Sequence, residues 1–244
     1  MNLTGKTILV TGGGTGIGLA ITEALLKKNN KVIICGRREQ VLKDVKSNYP
    51  AIDYLVTDLR NPDQVKLLHN WTIKKFPDTS ILVNNAGIQR ALIFSNPTSV
   101  TDVGEEAEIN FVSPVLLSSM FIEDFMTKKE SAIVNVSSGL AFAPLAFVPV
   151  YCATKAALHS FTLSLRHQLK NTTIKVIELV PPTVDTDLDH GRRGKRGEVD
   201  RGIEPSIVAD AFIKGFESGE PEILVGMAKN LRENGDKAFA NMNH

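Results

Sequence analysis

The stretch Thr7-Ile8-Leu9-Val10-Thr11-Gly12-Gly13-Gly14-Thr15-Gly16-Ile17-Gly18 decides how the rest of the chain is read. Thr7–Val10 is a short apolar run with the length and composition of a buried strand. It enters a glycine cluster directly, and a helical pattern (Ile17, Ile21, Ala24, Leu25, Lys28) opens from that cluster. Glycines here permit a tight turn and a close approach of backbone to a phosphate. The helix N-terminus adds unpaired N–H groups and the positive end of its dipole. Gly12, Gly16 and Gly18 are spaced G-x-x-x-G-x-G, a departure from G-x-G-x-x-G, and the same residues would also serve a plain connecting turn.

Outward from this turn, short apolar runs alternate with helix-period segments. Strands are expected at Thr7–Val10, Lys31–Ile34, Ile52–Val56, Ile81–Asn84, Ala132–Val136, Lys175–Leu179 and Glu222–Val225. Their centres are largely apolar without alternation, as parallel strands covered on both faces require. Val41 and Val45 mark a second helix. Asn61 as N-cap and Pro62 at the first helical position open a third, with Val65, Leu68, Thr72, Ile73 and Phe76 along it. Later helices are expected over 102–126, 151–169, 205–216 and 227–239. Repeated βα units with right-handed crossovers predict an α/β, doubly wound, Rossmann-type fold: a parallel seven-stranded sheet with helices on both faces, in a single domain over 1–244.

The chain has 244 residues, 43% hydrophobic and 23% charged, a globular balance that excludes disorder, collagen and coiled coil. Its net charge of +1 argues against a nucleic-acid partner. Two cysteines, Cys35 and Cys152, in a chain able to build a large core point to a reducing compartment. The N-terminus lacks the apolar region of a secretory signal, and the apolar run Leu140–Val150 is broken by Pro144 and Pro149 and too short to span a bilayer. A cytoplasmic location without membrane insertion is expected.

The second strand ends in Cys35-Gly36-Arg37-Arg38-Glu39. An acid at that tip bonds the ribose 2′-hydroxyl of NAD, whereas arginine accommodates a 2′-phosphate. Gly36 occupies the tip and Glu39 falls in the next helix, so Arg37 and Arg38 favour NADP(H) over NAD(H). Asp58-Leu59 follows the third strand, where an acid can bond the adenine amino group. Asn85-Ala86-Gly87 follows the fourth with small residues facing the cofactor. Each of these also reads as ordinary turn chemistry.

Tyr151 and Lys155 stand four apart at the start of a helical segment and share a face. A tyrosine near its ordinary pKa of ~10 is a poor base at neutral pH, and an adjacent ammonium favours the phenolate. Ser138 ends the fifth strand, and strand carboxyl ends are where ligands bind in such sheets. A serine capping its own turn is the competing reading. Asn110 sits in an apolar helical segment, which suggests a buried water or backbone partner.

Taken together, TGGGTGIG, Asp58-Leu59, Asn84-Asn85-Ala86-Gly87, Asn110, Ser138 and Tyr151-Cys152-Ala153-Thr154-Lys155 resemble the short-chain dehydrogenase/reductase family in its short single-domain form. The resemblance runs from about residue 5 to 190. It implies hydride transfer between a nicotinamide cofactor and a carbonyl or alcohol carbon. Tyr151 is implied as general acid/base, Ser138 as the group binding the carbonyl, and Lys155 as the residue that lowers the tyrosine pKa and binds the nicotinamide ribose. Asn110 matches the asparagine that holds a water in the proton relay. Gly12, Gly14, Thr15, Gly16, Ile17 and Gly18 are implied at the pyrophosphate, with Pro181, Val184 and Thr186 near the nicotinamide. Pro181-Pro182 replaces the family's Pro-Gly and stiffens that segment. Within the family, Val180–Leu188 looks like the reductases associated with D-alanylation of lipoteichoic acid in bacteria.

The C-terminal segment lacks the glycine-ended strand common in tetrameric members. A homodimer through 102–126 and 151–169 is therefore expected, with a tetramer as the alternative. The apolar segment Gly139–Val150 is expected to line a pocket for a small to medium, partly hydrophobic substrate or, equally, to pack on another subunit. A substrate lid is expected at about 187–204, where Arg192, Arg193, Lys195, Arg196 and Arg201 form a solvated basic loop or attract an anion. His69, His159, His167, His190 and His244 show no metal-ligand spacing, so no metal is expected.

Overall fold

The computed structural model describes residues 1–95, 100–189 and 202–243. Seven strands form one parallel sheet: β1 (Thr7–Thr11), β2 (Lys31–Gly36), β3 (Asp53–Val56), β4 (Thr79–Asn84), β5 (Ser131–Val136), β6 (Ile174–Val180) and β7 (Glu222–Leu224). Their order is β3-β2-β1-β4-β5-β6-β7, so the connections reverse direction between β1 and β4. A crevice opens at such a switch point, at the carboxyl ends of the strands.

Alternate strand residues feed two separate cores. Ile8, Val10, Val32, Ile34, Ile81 and Val83 face α1 (Gly16–Lys27), α2 (Glu39–Asn48) and α7 (Pro205–Ser218) through Ile21, Leu25, Leu42, Phe212 and Phe216. Leu9, Ile33, Leu82 and Ile133 face α3 (Pro62–Lys75), α5 (Ser113–Met126) and α6 (Pro149–Gln168) through Leu68, Phe121, Phe125 and Leu165. Two buried faces explain why the strand sequences do not alternate. Each such phenylalanine contributes about 1.5–3 kcal/mol by leaving water.

Local signals fix the boundaries. Asn61 accepts from the N–H groups of Asp63 and Gln64 with Pro62 at the first helical position, as the sequence predicts. The helix expected over 102–126 is three pieces: α4 (Val100–Ala107), a π-helical turn at Glu108–Val112, and α5. By length and composition the stretch Thr101–Met126 is apolar enough to cross a membrane, which the sequence reading overlooked. It is a core helix, with Leu117, Phe121 and Phe125 fully buried. After β7 the chain forms α8 (Ala228–Met242), kinked at Asn234.

Candidate active site

The turn between β1 and α1 is held in a shape that requires glycine. Gly12 and Gly16 have φ of +64° and +54°, in the left-handed region that side chains rarely adopt. A Cβ at Gly18 would stand 2.2 Å from the Gly12 carbonyl oxygen, so helix and strand touch through that hydrogen. Thr11 ties the turn to the next strand, which the sequence reading missed: its Oγ1 accepts from the N–H groups of Asn85 and Ala86 at 3.0 and 3.1 Å. The Asn85 amide donates back to the Thr11 carbonyl at 2.9 Å.

A cleft runs along the carboxyl ends of the strands from this turn. Gly12, Gly14, Thr15, Gly16, Ile17, Gly18, Arg37, Arg38, Asp58, Leu59, Asn85, Ala86, Gly87, Tyr151, Lys155, Pro181 and Thr186 line it. Arg38 reaches Thr15 Oγ1 at 3.3 Å, which brings it beside the glycine turn. Asp58 is committed to Arg60, whose Nε donates to both carboxylate oxygens at 2.9 Å and whose backbone N–H donates to one at 3.0 Å. That bonding holds the Asp58 carboxyl below the usual carboxylate range. Arg60 also bonds Glu105, so this edge is tied to α4 by a residue the sequence reading did not single out.

The reactive groups converge at the other end. Lys155 is buried, and its Nζ donates to the Val136 carbonyl at 2.8 Å and lies 5.7 Å from the Tyr151 ring centroid. Burial disfavours its ammonium and lowers its pKa to about 8, while the Glu178 carboxylate opposes that shift. Asn110 sits in the π turn, a local irregularity frequent at functional sites. Its amide brackets Ile88, accepting from the N–H and donating to the C=O at 2.9 Å each, and also donates to Thr154 Oγ1 at 3.1 Å. The backbone partner expected for it is therefore Ile88. Asn110 is set behind the cleft wall, close to Gly87 and Lys155.

Three further expected site segments have the following settings. Ser138 lies just beyond β5; its Oγ accepts from the Leu140 N–H at 3.1 Å and caps the turn at Gly139–Ala141, and its O–H remains a donor. Val184 has its side chain buried beside Ile203, and the bridge between the two segments runs through the Asp185 N–H and the Thr183 carbonyl, which bond the Ile203 backbone. In the segment Gly139–Val150, Leu140, Leu145 and Phe147 pack around Val148, Tyr151 and Cys152, and α8 covers the outer side. There Asn243 bonds Ala146 N–H and the Pro144 carbonyl, and Arg232 lies 4.8 Å from the Phe142 ring. The basic residues Arg192, Arg193, Lys195, Arg196 and Arg201, and most of the expected lid, lie outside the described residues.

Glu106 was also missed. It is fully buried on α4; one carboxylate oxygen accepts from the Arg90 N–H at 2.8 Å and the other has no hydrogen-bond partner. Burial pushes its pKa up to about 7. The folded chain thus holds a proton between pH ~4.5 and ~7 that the unfolded chain releases, and stability falls as pH rises through that window. Glu106→Gln is expected to raise stability by about 2 kcal/mol at pH 8 and leave it unchanged near pH 4.5. Urea unfolding at both pH values checks this; an equal difference at both would be incompatible with a buried titrating acid.

The strand order, the glycine turn at the switch point and the Tyr151–Lys155 pair in the same cleft define a Rossmann-type oxidoreductase. The family model described as short chain dehydrogenase matches residues 6–197. The chain belongs to the short-chain dehydrogenase/reductase family and is an NAD(P)-dependent oxidoreductase. It is 45% identical over 248 residues, 100% of this chain and 98% of the relative, to the uncharacterized oxidoreductase DltE of Bacillus subtilis. To the NADP-dependent 3-hydroxy acid dehydrogenase of Schizosaccharomyces pombe it is 30% identical over 222 residues, 85% of this chain and 84% of that one. A short chain dehydrogenase from Burkholderia cenocepacia in complex with NADP superposes with a TM-score of 0.85 at 25% identity, covering 99% of both chains.

Proposed function

We propose that the chain interconverts a carbonyl and the corresponding alcohol, with NADP(H) preferred over NAD(H) and a small to medium, partly hydrophobic substrate. The observation that carries this reading is one cleft with arginines beside the glycine turn at one end and Tyr151 with Lys155 at the other. The dinucleotide fits the chain as built: Gly12 and Gly16 hold the turn at positive φ along the cleft, and the start of α1 offers N–H groups there. Gly12–Gly18 hold the pyrophosphate, Arg37 and Arg38 the 2′-phosphate, Asp58 and Leu59 the adenine, and Asn85–Gly87, Pro181 and Thr186 the nicotinamide half. When bound, the cofactor supplies the hydride in reduction and takes it up in oxidation.

In reduction the Tyr151 phenol donates its proton to the developing alkoxide, and Ser138 donates a hydrogen bond to the same oxygen. The Lys155 ammonium favours the phenolate left behind and offers its remaining donors to the ribose. Asn110 fixes the wall at Gly87 and Ile88 beside that ammonium. The reading includes a cytosolic homodimer through α5 and α6, where Met126 and Leu163 are exposed apolar residues.

Titration with NADPH and NADH tests the cofactor. NADPH is expected to bind more tightly, and replacing Arg37 and Arg38 with Ala should weaken it by about 10–100-fold while NADH changes by less than about threefold. An equal loss for both cofactors rejects the 2′-phosphate assignment.

A further inference from the structure

Glu178 is an acid in the middle of the otherwise largely apolar β6, and it is completely buried. A carboxylate in that position is costly unless its oxygens find donors. Ser137 Oγ donates to one oxygen at 2.5 Å, and His159 Nδ1 lies 2.8 Å from the other. These partners flank the reacting groups from two elements. Ser137 precedes Ser138 at the end of β5, and His159 follows Lys155 by one turn on the same face of α6.

Further charges surround the carboxylate. Arg166 on α6 feels it but spends its donors on the Val176 and Pro221 carbonyls. Glu222 on β7 lies 4.0 Å from His159 Nδ1 and is bonded by Arg232 of α8 at 3.2 Å. Ligand atoms of His159, Glu178 and Glu222 lie within 4.8 Å of one another, a proximity that sequence spacing did not reveal. The 2.8 Å contact and the guanidinium on Glu222 make this a closed hydrogen-bonded network.

We infer that Glu178 is a positioning residue: through Ser137 and His159 it ties the end of β5 to α6, setting Ser138 against Lys155 with its carboxylate bonded one helical turn from that lysine. The inference rests on the roles given above to Ser138, Tyr151 and Lys155. Lys155 faces Tyr151 on its own helix and Glu178 from β6, with the neutral Asn110 and Gly87 across from it. Burial drives its proton off; the Glu178 charge is the opposing influence.

The test is a pH titration of protein labelled with 13C at lysine Cε, the Lys155 signal being assigned by its loss in Lys155→Arg. Glu178→Gln keeps the shape and removes the charge, and its Lys155 midpoint is expected to fall by about one pH unit. Glu222→Gln should move it by less than about a third of that. In the Glu178→Gln enzyme the alkaline limb of kcat for carbonyl reduction moves down by the same amount, with KM for NADPH within about twofold of wild type. An unmoved midpoint, an equal fall in both variants, or a uniform loss of kcat with no moved limb overturns the proposal. If Glu178→Gln does not fold, Glu178→Asp, which withdraws the charge toward the β6 backbone, should give a smaller fall, and no fall there rejects it. The midpoint needs no turnover, so a wild-type protein inactive on every carbonyl tried would count against the reaction, not against the Glu178–Lys155 coupling.

Discussion

Tyr151→Phe is expected to bind NADPH within about twofold of wild type and to lose about 10³-fold in kcat, the range that general acid–base catalysis supplies. The selectivity of this loss follows from where the ring sits. Tyr151 is buried among Val148 and Cys152, with Leu140, Leu145, Phe147 and Leu188 packed against them, and phenylalanine keeps those contacts. Lys155 is anchored independently by the Val136 carbonyl, and Thr154 bonds the Tyr151 backbone rather than its side chain. Only the proton donor is removed. Single-turnover NADPH oxidation with a reactive carbonyl, alongside an NADPH binding curve, separates the two effects. A variant with near-wild-type turnover would remove Tyr151 as the proton donor.

The sheet was readable because parallel strands buried on both faces leave uninterrupted apolar runs, and because Gly12, Gly16 and Gly18 leave few other uses for a strand-to-helix turn. Strand and helix limits moved by only a few residues, as at Thr79 and Pro149. What could not be read depends on which distant element arrives. The apolar run after Ser138 read equally as a pocket wall or a subunit contact; α8, nearly a hundred residues later, covers its outer side. The pairing of Ile203 beside Val184 likewise joins residues with no local signal for it. Two signals were present and passed over. Glu178 is an acid inside a buried parallel strand, where a charge demands partners, and Glu106 lies one turn before Asn110, on the way into the buried part of that helix. Glu106 hides among Asp102, Glu105 and Glu108, and only the fold shows that it alone of these is fully buried, whereas Glu178 depends on partners brought by β5 and α6.

Gly18→Ala is expected to destabilise the chain by about 3 kcal/mol or more and to abolish measurable NADPH binding. The added methyl group would meet the Gly12 carbonyl oxygen at 2.2 Å, the Gly12 carbonyl carbon at 2.9 Å and Asn85 Nδ2 at 2.4 Å. None of these gives way cheaply. Gly12 is already at positive φ, and a Cβ at Gly12 itself would stand 3.0 Å from Ala86 Cα, so the turn has no room to retreat toward β4. Asn85 is held by its bond to the Thr11 carbonyl. The helix must therefore back away from the strand, carrying with it the N–H groups assigned to the pyrophosphate. A domain of this size loses about 2–4 °C in Tm per kcal/mol, which puts the expected drop near 10 °C. Gly104→Ala is the matching control: a Cβ there meets nothing within 4 Å, and alanine within α4 should add about 0.5–1 kcal/mol. If Gly18→Ala melted with wild type and still bound NADPH, the turn would tolerate a side chain at its closest contact, and the cradle assigned to the pyrophosphate would have to be sought elsewhere in the cleft.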